Sequence, residues 1–189
     1  MIDYPSADDY YKAIQQPELV FTASELKSAR FAVHPRWGIP LLPASGSTAV
    51  VFKAVVSGEE QALRFFTRHE VSSRERYDTL NQHFQARGIA DCVATSQWCD
   101  NAIVVKGERW PVVRMQWVEG RNLDKYIEGL VEDNNPEGIG ALASAWRTLL
   151  NRMQLAEFAH GDLQHGNVLV DTDGKLRLVD FDGSWIPPF

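Results

Sequence analysis

Three oxygen-bearing side chains near the end of the sequence, Asp162, Asn167 and Asp180, have the types and spacing to handle a phosphoryl group. They lie in "HGDLQHGNVLVDTDGKLRLVDFDG", which begins at His160 and ends at Gly183. One amide oxygen and one carboxylate, from Asn167 and Asp180, suit a hard cation such as Mg²⁺, which keeps waters and takes its other ligands from phosphates. A second carboxylate left free of metal, that of Asp162, can accept a proton from an attacking hydroxyl. A base and two metal ligands are the minimum equipment for phosphoryl transfer.

The surrounding elements must bring these groups to one edge. "NVLVD" and "KLRLVD" flank the tight turn "TDG" (Thr172–Gly174), which predicts a β-hairpin with Asn167 at its start and Asp180 at its end. Asp162 follows the longest apolar-periodic segment, Gly140–Phe158, whose apolar width predicts a helix buried on much of its surface. A shorter helix is expected over Asn122–Val131, opened by an Asn cap. Upstream, Ser6–Asp9 reads as a helix cap leading into Tyr10–Gln15, Pro17 as its stop, and Ser24 as the start of a second short helix.

From Trp37 the pattern turns to strands. Ala49–Val56 and Gln61–Thr67 form a predicted hairpin around Gly58, and Ser72–Arg87 carries Tyr77, Leu80 and Phe84 at helical spacing. "CVATSQW", "AIVVK" and "PVVRMQWV" follow, with "CDN" and "GERW" as turns, giving about five strands with one inserted helix. The fold class expected is α+β. A helical N-terminal extension (1–36) and a sheet-rich part (37–117) precede a helix-rich part (118–189) that opens on the hinge-like "VEGRN".

Composition excludes several classes. The net charge of −6 opposes non-specific nucleic-acid binding, where excess Lys and Arg are needed. No apolar run reaches the roughly 18 residues of a membrane span. The polar, acidic start is not a secretory signal, so the default compartment is the cytoplasm. The only cysteines, Cys92 and Cys99, have no neighbours at zinc-ligand spacing and read as reduced thiols packed in or beside a strand.

"HGDLQHGN" followed by "DFDG" resembles the catalytic and metal-binding loops of the protein-kinase superfamily, in the His-Gly-Asp spelling of atypical bacterial kinases and of aminoglycoside- and choline-kinase-like phosphotransferases. The resemblance implies a five-stranded antiparallel N-lobe with one helix and a partial helical C-lobe. Asp162 is then the catalytic base, Asn167 and Asp180 the Mg²⁺ ligands, and His160 and Phe181 structural spine residues. Asp182 replaces the family's glycine. "ASGSTAVVFKA" (Ala44–Ala54) looks like the glycine-rich phosphate loop with only Gly46 of three glycines retained. Ser45, Gly46, Ser47 and Thr48 would cover the phosphates of ATP. "QALRFF" puts Arg64 where the phosphate-anchoring Lys belongs, a change of geometry at constant charge. Its helix partner would be Glu75, with Glu70 as second choice. Met115 would border the adenine, Gln116 and Val118 would offer backbone groups to it, and Val51, Ala62 and Leu169 would sandwich it. Coverage runs from about Ile39 to Gly183.

The expected function is an ATP- and Mg²⁺-dependent phosphotransferase resembling a bacterial Ser/Thr protein kinase, with a protein substrate. Its rivals are a pseudokinase or ATP-binding scaffold and a small-molecule kinase of the aminoglycoside or choline type. A kinase domain normally continues well past the metal loop, so the chain is expected to be a fragment, inactive by itself, that exposes an apolar patch and self-associates. Plainer readings stand beside these: His165 as a solvated side chain, Asp124 as a helix N-terminal acid, Arg64 as a packed or surface ion-pair partner.

Overall fold

The computed structural model describes residues 3–41, 44–46, 48–69 and 74–187. They form two compact units: Met1–Asp78 with Ser96–Trp117, and Thr79–Thr95 with Val118–Phe189.

In the first unit α1 (Ala7–Ala13), α2 (Pro17–Val20) and α3 (Ser24–Lys27) precede the sheet. The Ser6 hydroxyl accepts from the Asp9 backbone N–H while the Asp9 carboxylate accepts from Ser6, a closed capping box. Pro17 does more than stop α1. It opens α2, where the missing N–H costs nothing.

The strands are β1 (Arg30–Phe31), β2 (Ala44–Ser45), β3 (Ala49–Val56), β4 (Glu59–Phe66), then, after α4 (Arg74–Ala86), β5 (Ser96–Val105) and β6 (Glu108–Gln116). The antiparallel sheet is five positions wide in the order β1-β3-β4-β6-β5, with β2 sharing β1's edge of β3. Ser57 and Gly58 both have positive φ, as do Lys106 and Gly107. These are two-residue turns whose twist matches the strands they join. Tyr10, Phe21 and Leu26 pack on one face of the sheet with Phe52, Leu63 and Phe65. The other face gathers Ala49, Phe66, Tyr77, Trp98 and Val113.

The expected strand count arises differently from the expected strands. "CVATSQW" and "AIVVK" are one strand, β5, broken by an irregularity between Cys99 and Ile103. "CDN" is therefore a bulge, with Asn101 at φ 51°, and not a turn. The fifth position comes instead from β1 and β2.

The second unit holds β7 (Gly120–Asn122), α5 (Leu123–Glu132), α6 (Pro136–Leu155), β8 (Val168–Asp171) and β9 (Leu176–Leu178). β8 and β9 are the anticipated hairpin. "VEGRN" supplies β7, a third antiparallel strand beside β8. Gly120 allows that pairing, since a Cβ there would meet the Val170 carbonyl oxygen at 2.3 Å. The acidic "VEDNNPEG", expected as a loop, is mostly helix end and helix start: Asn135 accepts from Gly138 N–H at 2.8 Å and Pro136 is the first residue of α6. Asn122 occupies the cap position of α5 without a side-chain cap bond.

Helix α6 is less buried than its sequence suggested. Only Leu149 and Met153 are fully buried along it. They join Phe84, Ile89 and Val93 with Val168, Val170, Leu176 and Leu178 in the unit's core. Among the described residues no helix is long and apolar enough to cross a membrane.

Candidate active site

The second unit assembles the loop from Asp162 to Asn167 by local hydrogen bonds. The Gln164 N–H donates to the Asp162 carbonyl at 3.0 Å, and the Asn167 N–H to the Gln164 carbonyl at 3.0 Å. The Asn167 side-chain NH₂ donates to both the Asp162 carbonyl and Asp162 Oδ2, each at 2.9 Å. Gln164 Nε2 adds a third donor to Asp162, reaching Oδ2 at 3.0 Å. One carboxylate oxygen of the exposed Asp162 is thus held from two sides. The amide of the buried Asn167 is oriented NH₂-first toward Asp162, so its Oδ1 faces away from that residue.

Hairpin pairing then brings Asp180 to this loop. The Val179 N–H donates to the Asn167 carbonyl at 3.0 Å, extending the β8–β9 ladder to the residue before Asp180. His160 fixes the next peptide. It is 2% exposed, and its Nε2 lies 2.9 Å from the Val179 carbonyl. A carbonyl only accepts, so Nε2 carries the proton. The other ring nitrogen, Nδ1, is buried without a partner. The ring also rests against Phe181, centroids 5.7 Å apart, and Phe181 packs on Phe84 at 5.4 Å and Phe158 at 6.4 Å. His160 and Phe181 therefore anchor the backbone on both sides of Asp180.

Asp180 itself has φ 65°, in the left-handed region. That conformation costs an L-residue about 1–2 kcal/mol, and such strain persists where packing over-determines it, as it does here. Asp182 shows no positive φ, so its backbone makes no demand for a glycine.

A close backbone contact that sequence reasoning missed pins the segment following the loop. Ala159 and Trp185 exchange N–H···O bonds of 3.0 and 2.8 Å, and the Ser184 hydroxyl donates to the His160 carbonyl at 3.3 Å. Between them Gly161, at φ 78°, lies so near Gly183 that a Cβ would sit 1.9 Å from the Gly183 oxygen. Two glycines flanking the two acidic motifs were the available signal. His165 Nδ1 stands 3.5 Å from Asp124 Oδ1, an exposed ring against a half-buried carboxylate at the edge of the same loop.

Mg²⁺ can be tested against this arrangement. Among the described residues no group of three or more His, Cys, Asp and Glu could hold a metal ion. Mg²⁺ asks less of the protein: one or two carboxylates or amides, with water and phosphate completing an octahedron. An Asn whose NH₂ is fixed elsewhere and whose carbonyl oxygen is the remaining group, beside an Asp held in a strained backbone, fits that donor set. Asn167 and Asp180 are the residues that would hold it.

The first unit carries the other expected residues. Arg64 lies on the central strand β4, opposite Val51 of β3 and Val113 of β6. It is 6% exposed, with its guanidinium 5.5 Å from the Phe66 ring centre, so the reading as a surface residue is corrected. Directly opposite residues share a sheet face, so Arg64, Val51 and the Ala62–Met115 pair stand on one side. Tyr77 of α4 packs there, its ring 5.7 Å from that of Trp98, whose strand position faces Val113. Glu75 is exposed in the first turn of the same helix. Gln116 ends β6 opposite Gln61.

Ser45 lies in β2, the Gly46 N–H donates to the Ala49 carbonyl at 2.9 Å, and the Thr48 carbonyl accepts from the Thr67 N–H at 2.8 Å. At Gly46 an added Cβ meets only ordinary contact. Ser47 and Glu70 lie outside the described residues. In the second unit Val118 is half-buried, and Leu169 sits on the face of β8 opposite the core residues Val168 and Val170. No protein-family model matches the chain.

Proposed function

We propose that the chain carries the catalytic half-site of an ATP- and Mg²⁺-dependent phosphotransferase acting on a protein hydroxyl. The observation that carries this reading is the Asn167 amide. It ties the Asp162 carboxylate to the hairpin that presents Asp180, so base and metal ligands form one connected unit. Asp162 accepts the proton of the attacking hydroxyl through the carboxylate oxygen not engaged by Asn167 and Gln164. Asn167 and Asp180 hold the metal, with His160 and Phe181 fixing the backbone around Asp180. When bound, Mg²⁺ supplies charge neutralisation at the phosphate oxygens. Arg64, buried and permanently charged, anchors the ATP phosphates from the sheet in this reading, with Glu75 as its helix partner. Val51, Ala62 and Met115 supply an apolar sheet face for the base, with Gln116 at the end of β6 in the same sheet.

A second reading, an ATP-binding module without catalysis, is favoured by two observations. Arg64 replaces a point-charge lysine with a planar fork, and Gly46 sits where no glycine is needed, so the phosphate loop has lost its close approach.

Nucleotide titration with and without Mg²⁺, on wild type and Asp180→Ala, separates the two. Metal-dependent ATP binding, weakened at least about tenfold in Asp180→Ala, supports the enzyme. Binding indifferent to metal and mutation supports the module. Asp162→Ala should then keep binding while γ-phosphate transfer falls by about 10²–10⁴-fold.

A further inference from the structure

We infer that a second copy of this chain docks on the groove between α5 and α6, making the protein a two-fold dimer in solution. The inference is independent of the proposed activity.

The groove has a volume of about 410 Å³ and is walled by Leu123 and Ile127 of α5 and by Ile139, Leu142, Ala143 and Trp146 of α6. On α6 these residues recur at i, i+3, i+4 and i+7, the spacing of a packing stripe. Leu150, 38% exposed, continues that stripe beyond the groove. Ala143 is exposed at its centre, small enough for another helix backbone to come close.

Charge selects the occupant. Arg147 is the one charged residue lining the groove, and it makes no hydrogen bond or ion pair among the described residues. Across the groove, the exposed Glu128 follows Ile127 on α5, while the half-buried Asp124 one turn earlier faces His165. Among the described residues Glu128 is engaged only by Lys125 at 2.8 Å, an exposed pair worth little. One wall thus offers an unused cation and the other an exposed carboxylate.

A self-complementary surface of this kind suits an isologous contact, in which each residue pair occurs twice. When the α6 stripe of one copy enters the groove of its partner, Arg147 of each copy meets Glu128 on the other copy's α5. A helix from an unrelated protein would need the same stripe and the same charge order. The chain already possesses both.

The test is sedimentation equilibrium of the full chain across a concentration series. The wild type should dimerise reversibly. Ala143→Glu, on an exposed helix position, should abolish the dimer while circular dichroism stays unchanged. Arg147→Glu and Glu128→Arg should each weaken association by about tenfold, through like-charge contact. The double swap R147E/E128R should restore it to within about threefold, since the same pair is re-formed with reversed signs. A wild type that is monomeric at every concentration overturns the inference. So does a dimer that ignores Ala143→Glu, or a double swap no better than either single change.

Discussion

Gly161→Ala is the substitution for which the structure gives the largest predicted effect from a single carbon. Two costs add at this position. A φ of 78° places an L-residue in the left-handed region, which costs about 1–2 kcal/mol. The new Cβ would also lie 1.9 Å from the Gly183 oxygen, where ordinary contact begins at 3.4 Å, so the two segments must part by about 1.5 Å. That movement breaks the Ala159–Trp185 pair of hydrogen bonds, at about 1 kcal/mol each. The sum is about 3–4 kcal/mol of lost stability.

Two neighbouring glycines separate the contributions. Gly174 has φ 77° with open space around it, so Gly174→Ala should show the backbone cost alone, about 1–2 kcal/mol. Gly166 has neither positive φ nor any atom near its missing Cβ, so Gly166→Ala should be within about 0.5 kcal/mol of wild type. Urea titration of the three variants beside wild type gives the order directly. With a slope of about 2 kcal/mol per molar urea, Gly161→Ala should lower the midpoint by about 1.5–2 M. The reasoning is refuted if Gly161→Ala is no worse than Gly174→Ala. Should the proposed activity be found, the same variant should lose on the order of 10²-fold in rate, because a displacement of this size lies beside the reacting groups.

Three further outcomes follow from the packing. Arg152 meets Asp91 through both guanidinium nitrogens, at 2.5 and 3.0 Å, and holds its carboxyl below the ordinary value near 3.8. A depressed folded-state pKa contributes stability above the unfolded value and loses it as pH falls through the folded one. Asp91→Asn should therefore flatten the acid limb of the stability–pH curve, read by urea midpoints from pH 6 down to about pH 3. Tyr10→Phe removes a buried hydroxyl that donates to the Phe66 carbonyl at 2.9 Å and should cost about 1–2 kcal/mol in the same titration. Burial pushes the thiols of Cys92 and Cys99 above their ordinary range. Both should react with a disulfide reagent far more slowly than in urea, and rates equal to the unfolded ones would contradict the packing.

Much of the site was legible because its order is local. The tie between Asp162 and Asn167 spans one short loop, and the "TDG" turn sets the hairpin whose ladder reaches Val179, so residue spacing alone carried these two features. The misreadings share a cause of the opposite kind. β7 has no apolar residue and no alternation, and it exists only because β8, far along the chain, pairs with it. Asn101 with its positive φ gives the same signal in a turn and in a bulge, and only the pairing of β5 with β6 distinguishes them. The apolar width of α6 was read as burial over much of its surface, yet Ile139, Leu142, Ala143 and Trp146 line an open groove. Asp180's strain is a property of tertiary packing with no local pattern behind it, and the Gly161–Gly183 contact left only the two glycines themselves as a signal.

The division of the second unit along the sequence has a consequence for synthesis. Phe84, Ile89 and Val93 belong to its core, but the strands they pack with, Val168–Asp171 and Leu176–Leu178, are made only after α5 and α6. During translation the two hairpins of the first unit can close as soon as they emerge, since each needs only a two-residue turn. The apolar stretch from Leu80 to Val93 must meanwhile wait, uncovered, through the synthesis of α5 and α6, the interval in which a nascent chain is most exposed to aggregation and to chaperones. A ribosome stalled before Val168 would thus hold a chain with the first unit closed and the second unable to fold, so the closing hairpin that leads into Asp180 also decides whether the second unit forms.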